Sequence, residues 1–68
     1  MIIQWTNVFS NETGYVKSVS TKERHFVNTF DKSSAHVYKS LQAAQNVVLK
    51  LISYGEGDMN RFEIVAIA

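Results

Sequence analysis

SLQAAQNVVLKLISYG, residues 40–55, is the stretch on which the reading of the fold turns. Leu41, Ala44, Val47, Val48, Leu51 and Tyr54 recur at three- and four-residue steps, which puts them on one apolar stripe of an α-helix. Gln42, Gln45, Asn46, Lys50 and Ser53 fall on the other side. Ser40 suits the N-cap, because its hydroxyl can accept from an unpaired amide of the first turn. Gly55 suits the stop, because glycine adopts the left-handed conformation common just past a helix end. A helix with one apolar stripe needs a sheet or a second helix to cover that stripe, and the flanking sequence supplies strands.

Upstream, Ile2 to Phe9, Tyr15 to Ser20 and Arg24 to Phe30 are rich in β-branched and aromatic residues. Polar connections of three to five residues separate them, which favours an antiparallel three-stranded meander. Downstream, Arg61 to Ala68 forms a fourth strand. It is apolar at both parities, with Phe62, Ile64 and Ala66 alternating with Val65 and Ile67, and this pattern predicts a central or otherwise covered strand. Asp31-Lys32-Ser33-Ser34 breaks the strand pattern, and the segment that follows is either a helical turn or an extended piece against the sheet edge. The expected fold class is therefore α+β: a two-layer β-β-β-α-β arrangement, one helix on one face of a mainly antiparallel four-stranded sheet. Residues 1–68 read as a single small domain.

A chain of 68 residues buries only about 60% of the surface its unfolded form exposes. Such a core rarely leaves more than roughly 3–5 kcal/mol of net stability unless a crosslink, a metal or a partner adds to it. Cysteine is absent, which removes disulfides and thiolate ligands. An unusually good core or self-association, most simply a homodimer, has to supply the remainder. The net charge of +1 shows neither the basic surplus of a dedicated DNA binder nor the acidic excess of a DNA mimic. No apolar run approaches the ~20 residues of a membrane span, and Met1 to Trp5 lacks the charged start of a signal peptide. The chain is read as cytoplasmic, with no membrane partner.

His25 and His36 are the two histidines, and no serine or carboxylate lies at a spacing that specifies a catalytic triad. Gly55-Glu56-Gly57-Asp58 lacks the remaining ligands of a calcium loop. The glycines follow the helix or sit in a turn, whereas a phosphate cradle needs them at a helix start. The expectation is a non-enzymatic protein without cofactor or metal.

Two surfaces are left. Strand parity places Phe26 and Phe30 on one side, with Trp5, Phe62 and Ile64 completing the set expected under the helix. The opposite face then holds Ile2, Val8, Val27, Val65 and Ile67, interleaved with Gln4, Thr6, Thr29 and Glu63. That much aliphatic surface calls for a partner: a second copy of the chain or a host protein. The alternative is that the segment 31–40 folds over part of this face. An exposed edge strand adding to a partner's sheet is a second form of the same interaction. The competing surface is a nucleic-acid contact on the second hairpin, with Lys17, Lys22 and Arg24 meeting phosphates and Tyr15 stacking on a base. Residues 24–30 share aromatic residues with the central strand of RNA-recognition motifs, and residues 14–17 resemble the first strand of cold-shock domains. The glycines, helices and strand count those folds need are missing.

The run FVNTFDKSSAHVYKSLQAAQNVV, together with GYVKSVS, resembles small uncharacterised proteins encoded by phages and prophages of Gram-positive bacteria. The likeness covers residues 14 to 54 and lies in overall texture. It implies a class of short proteins that bind and redirect a host defence, replication or transcription component, as modulators or inhibitors. It carries over no functional residue.

Overall fold

The structure, a computed structural model, describes residues 1–67. Its helix α1 spans Leu41–Ser53, and the Ser40 hydroxyl accepts from the Ala43 amide at 3.1 Å. At the far end Gly55 takes φ +91°, and its amide donates to Ile52 O at 3.0 Å. Both ends stand where the capping residues place them.

Four strands follow the expected order: β1 Ile2–Asn7, β2 Thr13–Ser20, β3 His25–Thr29 and β4 Asn60–Val65. All pairings are antiparallel, and the spatial order is β3-β2-β1-β4. The first three strands form the expected meander. The fourth departs from expectation, since it lies at the edge and pairs with β1 alone. Its two-sided apolar pattern has another cause. Phe62 and Ile64 face the helix layer, while Val65 sits opposite Ile2 and Ile67 borders a hollow shared with Ile2, Ala35 and Val37. Ala68, where the sequence reading ended this strand, lies outside the described residues.

The core forms between α1 and one sheet face, with Ile3, Trp5, Val16, Ala44 and Leu51 buried. Val19, Phe26, Tyr38, Val47, Val48, Tyr54, Phe62 and Ile64 pack around them. Phe26 meets Phe62 edge to face with ring centroids 5.7 Å apart. Phe30, expected in this core, contacts Trp5 edge to face at 5.8 Å but remains 63% exposed. Leu41, expected on the buried stripe, is exposed because it lies in the first turn beside the sheet margin.

The segment after β3 settles a question the sequence left open. Lys32–Ser34 forms one 3₁₀ turn, held by the Asp31 carboxylate. Residues 36–38 then occupy a wedge where β1 and β2 diverge. The described β1–β2 pairs run from Gln4↔Tyr15 to Thr6↔Thr13. Beyond them the His36 amide donates to Val16 O, the Tyr38 amide to Met1 O, and the Met1 amine to Tyr38 O. Thus the backbone groups of the diverging strands are satisfied by this segment. Ala35, itself buried, shares the hollow at Ile2, which is 1% exposed.

Candidate functional site

The five residues expected to form an apolar helix-free face do not form one surface. Ile2 is buried by the chain's own segment around Ala35, so it offers nothing to a partner. Val8 lies past the end of β1, in the turn, and borders a concavity with Val48, Ile52 and Phe62 on the helix side. Val65 and Ile67 remain near Ile2 and Val37 at one end of the sheet. Val27 is exposed on its own, paired with Ser18. Between them runs a polar band, Gln4 opposite Tyr15 and Glu63, and Thr6 opposite Thr13 and Arg61. The Gln4 side-chain amide donates to Thr13 Oγ1 at 2.9 Å. The alternative reading, in which residues 31–40 cover part of this face, describes the Ile2 end.

The four residues of the nucleic-acid reading are likewise dispersed. Tyr15 is half-buried in the polar band, and Lys17 stands at the irregularity between Val16 and Ser18. Lys22 projects from the turn before β3. Arg24, at φ +58°, lays its guanidinium 5.4 Å from the centroid of the Tyr54 ring, on the helix side. A cation held over an aromatic face is thereby drawn away from the sheet face that carries Tyr15.

Three of the exposed large hydrophobics, Leu41, Leu49 and Ile52, lie together along the margin between α1 and β4, while Phe9, Phe30 and Val37 are exposed elsewhere. Leu41, Gln45, Val48, Leu49 and Ile52 line the helix side of this margin. Phe62 and Ile64 line the strand side, and both are half-buried. Leu49 is 64% and Ile52 52% exposed. Neither residue belongs to the apolar stripe or to the polar side read from the sequence. The signal was present, because two large aliphatics off the main stripe widen the apolar arc beyond what one sheet face covers.

The backbone beside this margin is also open. The Val8 amide donates to Met59 O at 2.9 Å, and the Asn7 amide donates to Glu12 O at 2.7 Å. Even-numbered residues of β1 therefore bond β4, and odd-numbered ones bond β2. Through the register Thr6↔Arg61, Gln4↔Glu63 and Ile2↔Val65, these three β4 residues turn their backbone groups inward. Asn60, Phe62 and Ile64 consequently direct theirs outward, along the sheet edge. The opposite edge, β3, is five residues long and its pairing with β2 shifts register. Irregular pairing blunts an edge, and β4, six residues long, pairs with β1 without a register shift.

Charge at the margin is sparse. Arg61 and Glu63 are exposed on the sheet face away from the helix, and among the described residues neither side chain takes part in an ion pair or hydrogen bond. Among the described residues no three His, Cys, Asp or Glu side chains come together as a metal site, and no helix is long and apolar enough to cross a membrane. The margin offers apolar contact and strand pairing. No protein-family model, curated protein or solved structure matches this chain.

Proposed function

We propose that the protein is a non-enzymatic interaction module whose working surface is the margin between α1 and β4. One observation carries this reading: the outward-directed backbone of Asn60, Phe62 and Ile64 runs directly beside the exposed apolar side chains of Leu49 and Ile52. Strand addition gives affinity through main-chain hydrogen bonds, and neighbouring apolar pockets give it selectivity. The partner in this reading is a host protein or a second copy of the chain, acting in the host cytoplasm, as the resemblance of residues 14–54 to small uncharacterised phage and prophage proteins implies.

Capture of partners by wild type and two variants tests the surface. Leu49→Lys places a charge in the margin at a residue already 64% exposed, so its effect on stability stays within about 0.5 kcal/mol. Val27→Asp alters the distant sheet face. Proteins retained by wild type and Val27→Asp but lost with Leu49→Lys support the margin. Equal retention by all three, or a complex with oligonucleotides whose affinity falls steeply with salt, contradicts it.

A further inference from the structure

We infer that the occupant of the β4 edge is a second copy of this chain, joined by antiparallel β4–β4 pairing about a two-fold axis at Phe62. The inference rests on the margin being the working surface and names what fills it.

The sequence of β4, Asn60-Arg61-Phe62-Glu63-Ile64-Val65, selects the register. In an antiparallel self-pair centred on residue k, residue i faces residue 2k − i of the partner. Centring on Arg61 or Glu63 sets a charge against its own copy. Centring on Ile64 sets Glu63 against Val65. Centring on Phe62 alone brings Arg61 opposite Glu63 of the second copy, twice by symmetry. Opposite charges facing across strands stabilise a pair and like charges oppose it. Neither exposed side chain has an ion-pair or hydrogen-bond partner within its own chain among the described residues, so the pairing gives each of them one.

The backbone agrees with this register independently of charge. Phe62 directs its N–H and C=O outward, as do Asn60 and Ile64. A Phe62-centred pair matches Phe62 with Phe62 and Asn60 with Ile64, so every outward group of β4 meets an outward group. The two four-stranded sheets become one of eight strands, with β3 at either end. On the helix side, Phe62 and Ile64 of both copies lie together, and the margins carrying Leu41 and Leu49 face each other across the axis. An isologous interface of this kind closes on itself and leaves β4 no longer open to further chains. It also supplies the stabilising partner that a core of this size calls for.

Sedimentation of wild type, Arg61→Glu, Glu63→Arg and the double swap Arg61→Glu/Glu63→Arg tests the register. Wild type and the double swap are expected to form dimers. Each single reversal turns both cross-strand pairs into like-charge pairs and weakens the dimer by about tenfold or more, while circular dichroism stays native because both side chains are exposed. A monomeric wild type at every concentration, or a dimer indifferent to the single reversals, overturns the inference. So does a natively folded double swap that stays monomeric. If dimerisation fails while Leu49→Lys still abolishes partner capture, the margin stands as a surface for other proteins. If both fail, the reading of the margin falls as well.

Discussion

At the scale of single residues, Trp5 and Gly14 show how side-chain volume fixes the sheet. They face each other across the β1–β2 pair, and the indole lies directly over the glycine. A Cβ added at Gly14 would stand 2.6 Å from Trp5 Cζ2 and 2.9 Å from Thr29 O. Gly14→Ala is therefore expected to destabilise the fold by roughly 1–3 kcal/mol, as overpacking does, and a denaturant midpoint equal to that of wild type would contradict it. The sequence placed Gly14 in a turn, since nothing local announces that an aromatic nine positions upstream will cross it. Asp31 carries a prediction in pH. Its carboxylate accepts from the Ser33 hydroxyl at 2.7 Å and the Ser33 amide at 3.0 Å, which holds its pKa below the usual carboxylate value. A folded-state pKa below the unfolded one adds stability above the unfolded value, and that stability is lost as pH falls through the folded value. The Asp31 carboxyl carbon should accordingly titrate at a lower pH in the native chain than in the denatured chain; coincident midpoints would contradict the hydrogen-bonded turn.

Among the elements, α1 was the most legible, because its caps and its period are written in neighbouring residues. Ser40→Ala removes the hydroxyl that accepts from Ala43 and should lower stability by about 1 kcal/mol without changing the denaturant slope. Gly55→Ala forces a side chain into φ +91° and should lower it by about 1–2 kcal/mol; a neutral result at either position would mean that the helix ends are set by tertiary contacts. Strand β4 was legible as a strand but not in its position. Apolar residues at both parities are what a central strand shows, yet here one parity meets the helix and the other meets the Ile2 end of the sheet, where residues around Ala35 close the surface. That segment, 31–40, has no periodicity of its own. Its shape follows from backbone groups on Met1 and Val16 that need partners, a tertiary demand invisible in its own residues.

For the whole molecule, the fold class followed from element order, whereas the proposed working surface did not. The sequence pointed to Ile2, Val8, Val27, Val65 and Ile67 as one face, but burial and the end of β1 divide them. What brings Leu41, Leu49 and Ile52 beside an open strand is the placement of β4 at the edge beneath the flank of α1, which depends on strand order. Ten large hydrophobics are at least 39% exposed among the described residues, and the proposed dimer buries the group that lies beside the open strand. Amide hydrogen exchange tests this most directly, because the amides of Phe62 and Ile64 have no acceptor within the chain's own sheet. The account predicts that they are protected at concentrations where the dimer forms and become exposed on dilution or in Arg61→Glu. Rapid exchange of both amides at every concentration, alongside protected amides in β1, would contradict it.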